Sequence, residues 1–299
     1  MNNSNWSALL GCLLALSAVQ PCTAKTATPK SYVDAKTRDI VGGRKVLIII
    51  AQDKLLPGID SWELGAADAV NAIEKGIDQG LIARGQKQIA PITDALLDYD
   101  FDTPMKAALT SAANGAEWIH AQDIEFTRED SNTALERALN ASNTRQMLVL
   151  RATYETDWRY TAILVSVESS LLMRQIPKGQ RSDARLKGDY IPYRQTFRSL
   201  VYLPGADGTT KEKNIARWAA DGANLARQAL DIGVRRVPPL LVQNLQQDEK
   251  AAAVWRKRNG RMTVTNARKQ GWVIGRQDAG VLFVEARTGA LTRLQTLAP

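Results

Sequence analysis

The amino-acid sequence predicts an α+β fold: a mainly antiparallel sheet with helices packed on one face, plus a small C-terminal β meander. Three observations carry this. Apolar runs of period two, or of no period, alternate with segments whose apolar residues recur every three or four positions. Three strand-like segments follow one another between residues 146 and 203, and a four-residue turn joins the first two, as antiparallel neighbours require. Residues 261–297 break into short strands around Asp278-Ala279-Gly280 and Thr288-Gly289.

Residues 1–24 read as an export signal. The apolar run from Ala8 to Val19 is too short to span a bilayer, which takes about 20 residues. Ala24 closes a small-x-small cleavage site. The competing reading is a lipid anchor at Cys22, opposed by Pro21 beside the bond to be cut. Cys12 and Cys22 both lie in this segment, so the processed chain is expected to hold no disulfide, thiolate metal site or cysteine nucleophile. A periplasmic or secreted location follows.

Residues 25–44, "KTATPKSYVDAKTRDIVGGR", are polar and aperiodic, and read as a flexible lead-in. The main domain is placed at 45–235. It opens with the β-branched run Lys45–Ala51, a buried strand. Ala66, Val70, Ile73, Ile77 and Leu81 form one helical stripe that Gly85 can close. Thr103 as cap and Pro104 at the first helical position start a second helix, ending at Gly115. Glu117–Phe126 reads as a strand, and Thr133 with Glu136 as the capping box of a short helix.

Strands at Gln146–Thr156, Tyr160–Met173 and Tyr190–Leu203 come next, with the turn Thr156-Asp157-Trp158-Arg159 joining the first pair. The charged link between the second and third is expected to be exposed and mobile. Thr209-x-x-Glu212 opens a helix through Ile215, Trp218, Leu225 and Ala229 to Gly233. Pro238-Pro239 mark the boundary to a second unit, 236–299, because proline does not continue a helix. That unit is a helix from Asn244 and Gln247 to Asn259-Gly260, followed by a basic β module.

Charge divides along the chain. The net formal charge is +8, yet residues 57–150 carry 7 Lys and Arg against 15 Asp and Glu, while residues 251–299 carry 9 against 2. An acidic middle and a basic tail predict two faces with different partners. For an exported chain these are an envelope protein or an anionic envelope polymer, with no nucleic acid and at most peripheral membrane contact. The binding candidates are Lys178, Arg181, Arg185 and Lys187 in the charged link, and Arg261, Arg268, Lys269 and Arg276 in the tail.

The most chemical-looking stretch is "LLDYDFDTPM" (Leu96–Met105). Asp98, Asp100 and Asp102 fall on the first three ligand positions of a calcium loop, but Lys106 and Leu109 stand where later ligands belong. The stretch therefore reads as a helix junction, with acids near the next helix's positive end. His120, the one histidine, cannot build a multi-histidine zinc site, and reads as a strand residue with one hydrogen-bond partner. There is no G-x-S-x-G or S-x-x-K, and "GADGTTKEK" (Gly205–Lys213) lacks the second half of a nucleotide loop. Glu155 and Asp157 flank a turn and read as solvated. No catalytic residue, metal or cofactor is predicted.

The expected function is an exported, non-enzymatic envelope protein that binds a partner through its basic C-terminal module. One alternative is a hydrolase of a cell-wall or polysaccharide substrate using dispersed carboxylates. Another is an outer-membrane-associated assembly or secretion subunit. The order "KVLIII", long helix, "QKQIAP", helix, "GAEWIHAQDIEF" is similar to outer-membrane lipoproteins of the curli-secretion type and to cell-wall synthase activators. This resemblance covers the first half of the mature chain and carries no functional residue across.

Overall fold

The computed structural model describes residues 29–58, 79–174, 190–206, 208–255, 261–264, 269–277, 280–286 and 288–297. The export signal, the stripe residues from Ala66 to Ile77 and the charged link holding Lys178, Arg181, Arg185 and Lys187 lie outside these residues. Among the described residues no helix is long and apolar enough to cross a membrane.

The α+β class holds. In chain order the elements are α1 (Ala35–Arg38), β1 (Arg44–Ile49), α2 (Gln79–Ala95), α3 (Asp102–Gly115), β2 (Ala121–Thr127), α4 (Asn132–Ala141), β3 (Gln146–Thr156), β4 (Ala162–Met173), β5 (Tyr190–Tyr202), α5 (Lys211–Gln246), α6 (Glu249–Trp255), β6 (Arg261–Val264), β7 (Lys269–Gln277), β8 (Gly280–Glu285) and β9 (Leu291–Thr296). All the strands join one sheet in the order β2-β1-β3-β4-β5-β9-β8-β7-β6. Most neighbours are antiparallel; β1 runs parallel to β2 and β3, and β5 parallel to β9. The C-terminal strands form the expected meander and extend the same sheet.

Period two sorts the strand side chains onto two faces. On one face Val46, Ile48, Leu148, Leu150, Val165 and Phe197 meet Ile89, Ile92, Met105, Leu109, Trp218 and Leu241 from α2, α3 and α5. Each fully buried Leu, Ile or Val there contributes about 1.5–3 kcal/mol. Gly233 lets α5 come this close, since a Cβ at that position would stand 2.2 Å from Val165 Cγ2. On the other face the short α4 covers Leu47, Ile49, Met147, Val149 and Leu172 with Leu135, Ala138 and Leu139. Helices therefore lie on both faces, three on one and α4 on the other.

Several local expectations shift. Helix α2 runs through Gly85 and Pro91 to Ala95, so that glycine does not end it. Ser131, not Thr133, caps α4 by accepting from the Ala134 N–H, and Thr210, not Thr209, caps α5. Asn244 lies inside α5; Asp248 starts α6 by accepting from the Ala251 N–H at 2.7 Å. Residues 117–119 form a 3₁₀ turn before β2, which leaves His120 exposed in the left-handed region at φ 44 rather than in a strand. Pro238 and Pro239 stand within α5, which passes the expected domain boundary. The helix breaks earlier, where Asp221, Gly222 and Ala223 all have positive φ.

Residues 29–43 are a packed strap, not a free lead-in. Lys30 pairs with Tyr193 as an isolated bridge, and Tyr32 and Val33 are buried. The cause is Arg44. Its guanidinium donates to Gln146 Oε1 and to the carbonyls of Gly42, Trp118, Arg38 and Ile40, so its five N–H groups all meet acceptors. Aperiodicity in the strap conceals this, because its anchors are backbone carbonyls.

Asp34 caps α1 by accepting from the Thr37 N–H at 2.9 Å. The Thr37 side chain above all, then Lys30 and that backbone bond, hold the Asp34 carboxyl down at about 2. A depressed acid stabilises the fold fully above its unfolded value of 3.8, and the contribution is lost as pH falls toward about 2. Asp34→Ala is therefore expected to lower stability at neutral pH and to flatten the loss below pH 3.8, as read by urea midpoints across an acid series.

Candidate functional site

Helix α4 is only ten residues long and covers the first half of β3. Beyond it the same face of the sheet turns polar. Arg151, Thr153 and Glu155 continue β3; Ser166 and Glu168 stand beside them on β4; Arg194, Thr196 and Arg198 follow on β5. Cross-strand register aligns Arg151 with Glu168 and Thr196, and Thr153 with Ser166 and Arg198. These residues floor a groove of about 270 Å³.

One wall is Asp130, Ser131 and Asn132 at the start of α4. The other is the segment after β1. Gln52 donates to the Tyr154 carbonyl at 2.7 Å and accepts from the Tyr154 N–H at 3.1 Å, so its amide works as one more rung of pairing with β3. Leu56 continues that pairing through a bridge to Glu155. The groove thus opens at the carboxyl ends of the parallel strands β1 and β3, where such sheets leave a crevice.

Charges alternate across the floor. Arg151 donates to Asp130 Oδ1 at 2.8 Å and to Glu168 Oε1 at 3.3 Å, and Arg194 Nε stands 3.8 Å from the same oxygen. The last distance is an ion pair without a hydrogen bond, which leaves Arg194 donors directed elsewhere. Ser166 is 7% exposed and lines the groove. Beneath the rim, Arg198 donates to Glu285 Oε2 at 2.7 Å, with both side chains buried. Thr288 and Thr292 donate to the same carboxylate, so the C-terminal strands fix one end of the floor. Asp130 and Glu168 are committed to cations.

A second cleft of about 440 Å³ lies behind, between the end of α5 and the β8–β9 turn, and shares Arg194 and Thr196 as its wall. Gln247 lines it, buried, with an Oε1 that has no partner among the described residues. The first groove has the denser array of convergent side chains.

The aspartates of "LLDYDFDTPM" diverge, as a helix junction requires. Asp98 pairs with Arg227 from α5, Asp100 accepts from the Thr103 N–H at 3.0 Å, and Asp102 pairs with Arg128. Among the described residues no cluster of His, Cys, Asp or Glu suits a metal ion. Asp157 is not solvated. It is buried, accepting from the Ala162 N–H and the Thr161 hydroxyl at 2.8 Å each, and burial pushes its carboxyl above the usual range.

Among the described residues, the predicted binding residues Arg261, Lys269 and Arg276 do not line the groove. Lys178, Arg181, Arg185, Lys187 and Arg268 lie outside the described residues. Arg261 belongs to β6 and Lys269 to β7, at the far end of the sheet, and Arg276 is exposed near the end of β7. The groove residues had a signal that the sequence reading passed over. A polar or charged residue recurs at every second position in Arg151–Glu155, Ser166–Ser170 and Arg194–Arg198, inside otherwise apolar strands.

No protein-family model matches the sequence, and no curated protein matches it. Among solved structures, the PelC dodecamer from Paraburkholderia phytofirmans is similar over 74% of this chain and 96% of that one, at 12% identity and a TM-score of 0.20. At that score the likeness carries no argument about fold or function.

Proposed function

We propose that this protein is an exported envelope protein that binds one unit of an envelope polymer, such as a sugar ring, in the polar groove on the α4 face. The observation that carries the reading is the alternation Asp130–Arg151–Glu168–Arg194 across a groove that Ser166 also lines. A ring hydroxyl donates and accepts at once, and such a row offers it an acceptor and a donor on either side. A volume of about 270 Å³ admits a single ring. It is close to the lower end of ligand clefts, about 300 Å³. The basic C-terminal strands act through Glu285, which holds Arg198 in position.

The test is calorimetric titration with a panel of envelope-derived mono- and oligosaccharides. Saturable binding is expected. Ser166→Ala, which removes the hydroxyl and adds no bulk, is expected to weaken it by about tenfold at an unchanged melting temperature. Binding that is indifferent to Ser166→Ala and to Arg151→Met would remove the groove from the reading. Turnover of a glycan that Glu168→Gln abolishes would make the protein a hydrolase instead.

A further inference from the structure

The charge split along the chain becomes a charge split across the sheet. The acidic region supplies β2 at one end of the sheet order, and the basic region supplies β6 and β7 at the other, eight strand spacings or roughly 40 Å away. Among the described residues both ends are open edges. Among the described residues β2 pairs only with β1, and β6 only with β7. The register of β6 stops at Trp272, so Val273–Gln277 of β7 extend the second edge, with Arg276 exposed.

The acidic edge has an excess of anions. Asp123 and Glu125 share one face of β2 and both pair with the single buried Lys45, at 3.2 and 2.5 Å, while remaining about half exposed. One cation beneath two anions leaves the edge negative. The opposite edge reads Arg-Met-Thr-Val in β6 and begins β7 with Lys269.

We propose that the two edges bind each other between copies of this chain: the β6–β7 edge of one molecule adds to the β2 edge of the next. An exposed edge strand is a template for another strand, and charge decides which strand it admits. Pairing β2 with a second β2 would set Asp123 and Glu125 against the same residues, and pairing two β6–β7 edges would bring two basic edges together. Like charges across a ladder destabilise it and opposite charges support it. The contact is therefore head to tail, an arrangement that closes into a ring or grows as a filament. This is independent of what the groove holds.

The test is sedimentation velocity on the purified protein over a concentration series at low and high salt. Species larger than a monomer are expected at low salt, and they dissociate as salt screens the edges. Glu125→Lys alone and Arg261→Glu alone are each expected to weaken association by at least about tenfold. The chain carrying both reversals has its edges exchanged and is expected to regain association, which a merely misfolded variant does not do. Glu125→Gln retains an acceptor for Lys45, and is expected to weaken association less than Glu125→Lys while melting like the parent. A protein that stays monomeric at low salt and high concentration overturns the proposal. So does a doubly reversed chain that associates no better than either single variant.

Discussion

Replacing Glu285 by alanine is expected to cost about 3–5 kcal/mol of folding stability, the usual consequence of stranding a buried charge. The carboxylate is 3% exposed and faces an Arg198 side chain that is 5% exposed. It also accepts from Thr288 at 2.8 Å and Thr292 at 2.6 Å. Removing it leaves a cationic side chain and two hydroxyls short of an acceptor where water has little access. Apolar replacement of both partners, Arg198→Met with Glu285→Leu, is expected to recover much of the loss, because the desolvation cost of both ions disappears with them. Urea unfolding of the single and double variants measures the difference. A single variant that unfolds at the parental midpoint would show that water reaches the pair.

The same pair joins β5 to β8 across β9. Deleting residues 251–299 therefore removes Glu285, and it exposes the edge of β5 that pairs with β9 from Phe197 to Tyr202. The deletion is expected to destabilise the remaining sheet rather than release a separable tail.

Trp218→Ala is expected to cost a further, independent 3–5 kcal/mol or so. Trp218 is the largest fully buried side chain among the described residues. It fills the space between α5 and the sheet, and its indole N–H donates to the Tyr160 carbonyl at 2.8 Å. Tyr160 sits at φ 58 in the tight turn between β3 and β4, and its hydroxyl donates to Gln88 of α2 at 2.7 Å. The indole thus fills volume and supports a strained turn residue. Trp218→Phe separates the two roles. It retains most of the volume and leaves the carbonyl unpaired, at a cost of about 1–3 kcal/mol. Equal losses for Ala and Phe in urea midpoints would show that the hydrogen bond, not the packing, dominates.

The element types were largely legible because β-branched runs and helical stripes are local. The bounds of β3 follow directly from Gln146–Thr156, and the meander from its two turns. What escaped depended on partners distant in sequence. Arg44 orders the strap through carbonyls contributed by Arg38, Ile40, Gly42 and Trp118, none of which shows in a polarity pattern. Pro238 and Pro239 are tolerated in α5 because buried Val237, Leu240 and Leu241 hold that helix against the core whatever its local propensity. The groove was missed for a related reason. Arg151, Ser166 and Arg198 come from three strands, and only register brings them level.

The pairing of β5 with β9 also sets an order of events in time. The last of the described strands, Leu291–Thr296, does not finish the sheet at its rim but enters between β5 and β8. Its partners in β5 were synthesised almost a hundred residues earlier. Contacts separated this far along the chain close late, after much of the loop-closure entropy has been lost, and topologies rich in them fold slowly. Until residues 291–296 arrive, the inner edge of β5 stays unsatisfied and the sheet exists as two incomplete halves. A growing chain is thereby kept from completing this sheet until residues 291–296 have been made.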